Sequence, residues 1–226
     1  MGGNQDDRDL RQSIVDACRE MTASGINQGT SGNIGVRVDG GILLTPSGLP
    51  YDQMTPEDIV FMDWGGGWKA REGNVPSTEW RFHLDILKAK PEAQAVVHAH
   101  PTYCTILAIM HKTIPAIHYM IAAAGGTDIP CAPYAQYGTA ELSRLALEAL
   151  TGRRACLLAH HGLIATGVSL RKAMWLAIEV ETLAKQYHGC LQIGTPPLLP
   201  DEEIDSILKR WGQYGLRERK PLAADP

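Results

Sequence analysis

The chain has 226 residues, 44% of them hydrophobic and 20% charged, which fits one ordinary globular domain long enough to bury a core. A formal net charge of −4 provides no field that would gather nucleic acid or an anionic membrane surface, although backbone N–H groups can still hold a small anion locally. The five cysteines (Cys18, Cys104, Cys131, Cys156, Cys190) are scattered with no CxxC pair, which argues against a disulfide framework or a cysteine-type zinc site and for reduced, buried thiols.

The N-terminus, MGGNQDDRDLRQ, is polar and acidic with no secretory signal, and no apolar run is long enough to cross a bilayer, so a cytoplasmic protein is expected. Leu10, Ile14, Val15, Cys18 and Met21 recur at helical spacing and predict an amphipathic helix over residues 8–24. A glycine-rich loop from Asn27 to Asn33 leads into a strand at Ile34–Val38, an Asp39-Gly40 hairpin turn and a return strand at Ile42–Thr45. Thr55 caps a short helical start with Pro56 at its first position, and Ile59–Trp64 with Trp68–Arg71 forms a second hairpin around Gly65-Gly66-Gly67. Ser77 or Thr78 is placed to cap a helix through Lys88 that ends at Pro91. A buried strand at Ala95–His100 precedes a helix near Tyr103–Met110, and residues 114–134, with Gly125-Gly126 and three prolines, read as short strands and loops. Thr139–Leu150 is helical, Ala155–Leu158 is a strand running into a loop at His160-His161-Gly162, Leu170–Tyr187 is a buried helix and Asp201–Trp211 a capped amphipathic one. Hairpins and helices in mixed order predict a three-layer α/β domain with a central, largely antiparallel sheet. A single domain is expected over residues 1–226, with a loose tail from about 218.

The sharpest chemical signal is Val96-Val97-His98-Ala99-His100. Strand side chains alternate faces, so His98 and His100 present two imidazoles to one point while Val97 and Ala99 face away. Two histidines are half a metal site, and the pair His160-His161 after another strand is the natural source of a further ligand, with Gly162 allowing a tight turn beside the metal. Three imidazoles with an open position are the arrangement of catalytic zinc, although the motif alone does not separate zinc from other first-row metals. Glu79 sits at a helix start, where the helix dipole favours a carboxylate and where it could equally be a capping residue. The HExxH pattern of zinc proteases is absent.

Three turns offer small hydroxyls and exposed N–H groups: Gly29-Thr30-Ser31-Gly32-Asn33, Thr45-Pro46-Ser47-Gly48 and Ser77-Thr78. None matches a Walker or dinucleotide pattern. Together they suggest a small dianion held without arginine.

The segments NQGTSGN, TPSGLPY, PSTEWRFH, VVHAH, IPAIHYMIAAAGG, IPCAPYA, LLAHHGLIA and DEEI…YGLR, in that order from about Met21 to Arg217, closely resemble the class II aldolase family, above all its branch acting on fuculose 1-phosphate. The resemblance implies reversible cleavage of a (deoxy)ketose 1-phosphate to dihydroxyacetone phosphate and an aldehyde. It implies one zinc ion per subunit held by His98, His100 and His161, with Glu79 completing the resting site, leaving when substrate binds and then moving a proton. Gly32, Asn33, Ser47, Gly48, Ser77 and Thr78 are implied at the phosphate. Tyr119, from a neighbouring subunit, and Tyr214 are implied at the aldehyde oxygen, in a four-fold symmetric tetramer with sites between subunits. Tyr137 stands where the fuculose branch has an aromatic without the hydroxyl and is expected in the aldehyde pocket, and Pro101-Thr102-Tyr103 and His188-Gly189 also depart from the family. The departures bear on substrate choice, and a related branch acts on 5-deoxyribulose 1-phosphate or its methylthio analogue. Epimerase and decarboxylase relatives share the histidines, but Glu79 with Tyr119 favours aldol cleavage. The adducin head, a non-catalytic module on the same scaffold, does not need three histidines and Glu79.

Overall fold

A computed structural model describes residues 3–211, so Tyr214 and the tail expected from about 218 lie outside the described residues. Helix α1 (Gly3–Ala23) buries Ile14, Val15, Cys18 and Met21, the positions that share one face at a 3.6-residue period. Strand β1 (Asn33–Val38) turns through Gly40, at φ 77°, into β2 (Gly41–Leu44). Gly41 is required by close approach: a Cβ there would lie 2.0 Å from the carbonyl oxygen of Met62 on the next strand. A 3-10 turn (Pro56–Asp58) follows, with the Asp58 carboxylate accepting from both the backbone N–H and the hydroxyl of Thr55. Strands β3 (Val60–Asp63) and β4 (Trp68–Lys69) close the second hairpin.

Then come α2 (Trp80–Ala89), β5 (Ala95–Ala99), α3 (Thr102–Ile109), a 3-10 segment (Tyr119–Ala124), β6 (Cys131–Ala132), α4 (Ala140–Ala149), β7 (Ala155–Leu158), β8 (Gly162–Gly167), α5 (Leu170–Ile193) and α6 (Asp201–Arg210). The eight strands form one open sheet in the order β4-β3-β2-β1-β5-β8-β7-β6, antiparallel except for β6 with β7. One face packs on α2 and α4 through Phe82, Leu84, Leu142 and Ala146; the other packs on α1, α3 and α5 through Met21, Leu107, Leu176 and Leu183. The expected three layers and largely antiparallel sheet are therefore present.

Two segments differ from the sequence expectation. Residues 162–167 form a central strand between β5 and β7 that was not predicted. All six are buried, so Gly162-Leu163-Ile164-Ala165-Thr166-Gly167 lacks the polar–apolar alternation that marks a half-exposed strand. Residues 119–124 coil into a 3-10 segment stopped by Gly125 at φ 92°, where short strands and loops were expected, and α5 continues to Ile193 rather than stopping at Tyr187.

Candidate metal centre and active site

The sheet register assembles the histidines. β5 and β8 run antiparallel with Ala99 opposite Leu163 and His98 opposite Ile164, a register that brings Gly162 across from His100 and His161, just before β8, beside it. The pleat of β5 works as expected: Val97 and Ala99 enter the α5-side core, while fully buried His98 faces α2 and meets the Phe82 ring edge-on at 5.3 Å. His98 Nε2 lies 2.9 Å from His100 Nε2, and the His161 ring centroid is 4.7 and 4.8 Å from those of His98 and His100. His160 does not join them. At φ 54° its backbone is left-handed, which throws the two consecutive side chains apart, and its Nε2 meets His111 Nε2 at 2.9 Å instead.

Glu79 precedes the first residue of α2 and makes no capping bond with its side chain; Ser77 Oγ accepts from the Glu79 N–H at 3.3 Å instead. The carboxylate points into the histidine cluster. Its Oε2 lies 3.2 Å from His98 Nε2 and its Oε1 3.2 Å from His161 Nε2. The Asn33 carboxamide donates to Oε2 at 2.9 Å, whereas buried Oε1 has no hydrogen bond.

These donors fit a divalent cation. A tetrahedral ion with bonds of about 2.0–2.1 Å holds its ligand atoms about 3.3 Å apart, and the separations here are 2.9, 3.2 and 3.2 Å, with all four groups offering atoms within 4.8 Å of one another. His98 Nδ1 donates to the Leu163 carbonyl at 2.8 Å, which fixes its tautomer and leaves the Nε2 lone pair facing the cluster. Burial, reinforced by the neighbouring imidazoles, pushes His100 down to about 3 and lowers His161, so both are neutral ligands at neutral pH. Burial works against ionising Glu79, while the His98 and His161 rings beside it lower its carboxyl whenever they carry a proton. Neutral lone pairs and a carboxylate aimed at one point repel each other unless a cation sits among them.

The turns also converge. Ser47 N–H donates to Val75 O at 2.9 Å and Ser77 N–H to Thr45 O at 3.0 Å, tying Thr45-Pro46-Ser47-Gly48 to Ser77-Thr78. Thr45 Oγ1 accepts from Ile34 N–H at 3.1 Å, joining both to the end of the glycine-rich loop. Gly32 packs so closely that a Cβ would sit 2.9 Å from the His98 carbonyl oxygen. Among the expected phosphate residues, Asn33 commits its side chain to bridging Glu79 and His83. A cavity of about 290 Å³ opens above the cluster, lined by Thr78, Glu79, His100, Tyr134, Ala135, Tyr137, His160 and His161. Tyr137 thus stands at its rim. Tyr119, 39% exposed, does not line this chain's own cavity.

Sequence reasoning passed over His83, which is fully buried and reaches Asn33, and Asn27, whose carboxamide accepts from His100 N–H at 3.3 Å and donates to the Tyr51 hydroxyl at 3.2 Å. Tyr51 in turn donates to the Gly32 carbonyl at 2.5 Å, bracing the glycine loop against β5. Neither stands out in the sequence, His83 on an amphipathic helix and Asn27 in a glycine-rich loop, and burial is what marks them.

A three-layer fold with histidines from two adjacent strands and a glutamate at a helix start defines a class II aldolase-type protein. The chain belongs to that family: residues 12–188 match the family described as the class II aldolase and adducin N-terminal domain. It is 54% identical over 209 residues to an L-fuculose phosphate aldolase of Escherichia coli (strain K12), covering 92% of this chain and 96% of the relative. It is 52% identical over 212 residues to a 5-methylthioribulose-1-phosphate/5-deoxyribulose-1-phosphate aldolase of Rhodospirillum rubrum, covering 94% of this chain and 95% of that one. Among solved structures, an L-fuculose 1-phosphate aldolase superposes with a TM-score of 0.87 at 38% identity, covering 90% of this chain and 96% of that one.

Proposed function

We propose that the protein is a zinc-dependent lyase that reversibly cleaves a ketose 1-phosphate, L-fuculose 1-phosphate first among candidates, to dihydroxyacetone phosphate and an aldehyde such as L-lactaldehyde. The observation that carries this is the convergence of His98, His100, His161 and Glu79 on one point beside a cavity that Thr78, from one of three hydrogen-bonded turns, also lines. A divalent ion held there supplies a Lewis acid for the negative charge that develops on the ketose oxygens as the carbon–carbon bond parts. The three imidazoles hold that ion, and the Ser47 and Ser77 hydroxyls with the Gly48 and Thr78 N–H groups grip the phosphate, fixing the substrate's alignment far from the breaking bond. Glu79, which would complete the resting site, removes and returns the proton on the carbon beside the carbonyl. Tyr119, from a neighbouring subunit of a homotetramer, manages the proton on the aldehyde oxygen, a placement consistent with its exposure on this chain. Tyr214 assists in the same reading. The enzyme works in the cytoplasm.

The 52% identity to the methylthioribulose/deoxyribulose-phosphate aldolase of R. rubrum and the Tyr137 hydroxyl at the cavity rim favour a second reading, in which the preferred substrate is 5-deoxyribulose 1-phosphate or its methylthio analogue. The experiment that tests both is triose phosphate release from fuculose 1-phosphate, rhamnulose 1-phosphate and 5-deoxyribulose 1-phosphate, each with zinc and with chelator. Metal-dependent release from one of them is the expected result. An epimer formed without triose phosphate would refute the aldolase reading.

A further inference from the structure

Helix α2 carries a buried histidine that the reaction scheme leaves unused. His83 is 0% exposed, one turn beyond Glu79, and its Nδ1 has no hydrogen-bond partner. A leucine would fill such a place without an orphaned nitrogen. The neighbouring strand is nevertheless shaped for the ring: a Cβ on Gly35 would lie 2.8 Å from His83 Nδ1 and 3.0 Å from its Cβ, so β1 uses glycine where the imidazole sits.

The other ring nitrogen, Nε2, meets Asn33 Oδ1, and Asn33 Nδ2 donates to Glu79 Oε2 at 2.9 Å. The directions in this chain are fixed by chemistry. An ionised carboxylate only accepts, so the Asn33 atom facing Glu79 is its nitrogen. Its oxygen then faces His83, which donates from Nε2–H and carries no hydrogen on Nδ1. Burial, reinforced by His98, pushes His83 down to about 3, so the ring is neutral and a single tautomer satisfies the chain. A carboxamide rotated by 180° would set its oxygen against the carboxylate. His83 adds a second penalty to that rotation, because its Nε2–H would then face an Asn33 N–H and lose its acceptor.

We infer that His83 is a positioning residue: it locks the Asn33 carboxamide in one orientation, which holds Glu79 Oε2 and leaves Oε1 aimed at the metal point. The inference rests on the metal-dependent aldolase reading and adds a second link, after Asn33, behind Glu79. Groups that orient a ligand commonly change metal affinity or activity by about 10–100-fold when removed.

The test compares the full-length protein with His83→Leu and His83→Gln, using zinc alone in competition with a chromophoric chelator, then kcat and KM on the accepted sugar phosphate. His83→Leu is expected to weaken zinc binding and lower kcat by about 10–100-fold, with KM within about threefold because the phosphate turns are untouched. His83→Gln, whose carboxamide N–H can replace the donor, should recover most of both. In an Asn33→Ala background, His83→Leu should add little, because its effect passes through Asn33. Wild-type affinity and kcat in His83→Leu, equal losses in Leu and Gln, or full additivity with Asn33→Ala would each overturn the inference. Should Leu not fold, His83→Met takes its place, and failure of both to fold would assign His83 to the core and overturn it too. Failure of the wild-type protein to bind zinc or release triose phosphate would instead strike the functional reading.

Discussion

Replacing Gly162 by alanine adds one methyl group where two central strands meet beside the histidine cluster. The new Cβ would lie 2.4 Å from the Ala99 carbonyl oxygen and 2.8 Å from His100 Cδ2, against an ordinary contact of 3.4 Å or more. The His100 ring can swing aside, but the Ala99 oxygen is backbone of β5, paired to β8 at Leu163. Relief therefore requires β5 and the start of β8 to part by roughly 1 Å, a displacement that overpacking data put at about 1–3 kcal/mol. For a chain of this size that lowers Tm by about 2–12 °C. The same movement draws His100 from its partners, so zinc affinity should fall together with stability. Differential scanning calorimetry and chelator competition read the two effects. Gly189→Ala is the control: it lies within α5 with nothing within 4 Å of a new Cβ, so there the substitution should stabilise by up to about 1 kcal/mol. A Gly162→Ala protein that melts and binds zinc as the wild type does would refute the claimed tightness of this junction.

Glu79→Gln keeps the shape of the side chain and all three imidazoles, so circular dichroism and phosphate affinity should be little changed while turnover falls by about 10²–10⁴, the range for losing a positioned acid–base group; full turnover would show that its role is misassigned. Acid should destabilise the metal-free protein in a way that His83 helps to set. Its pKa is about 3 when folded against 6.5 as the ordinary value, chiefly because burial penalises the charged ring, so below pH 6.5 the unfolded chain binds the extra proton. The stability it contributes is complete above pH 6.5 and fades as pH falls toward 3, amounting to a loss of about 2 kcal/mol by pH 5. His100 and His161, lowered in the same direction, steepen the slope further, so the measurement is the difference in urea unfolding between wild type and His83→Leu at pH 7 and pH 5. An identical pH slope in both proteins would contradict a neutral buried ring.

The candidate metal ligands were readable because their geometry is local: an HxH on a strand must place both rings on one side, and Gly162 beside His161 marks a tight turn. The choice of His161 over His160 rests on a backbone angle, φ 54° at His160, that no residue type announces, and only the family resemblance anticipated it. Strand β8 escaped notice because a strand buried on both faces has no alternation, and a glycine at each end reads as loop. His83 and Asn27 were invisible as well. Neither was given a role by the sequence, and only their burial, 0% and 2%, with their hydrogen bonds shows that each supports the site. The family segments named the turns expected at a phosphate, but not that the Asn33 carboxamide is committed to Glu79 and His83.

The central claim is that three imidazoles and one carboxylate hold a divalent ion. Anomalous diffraction recorded on either side of the zinc edge, from crystals grown with zinc, tests it most directly. The account predicts one peak per chain within bonding distance of His98, His100 and His161. A map with no anomalous density among those three rings, or with the ion held elsewhere, would contradict it.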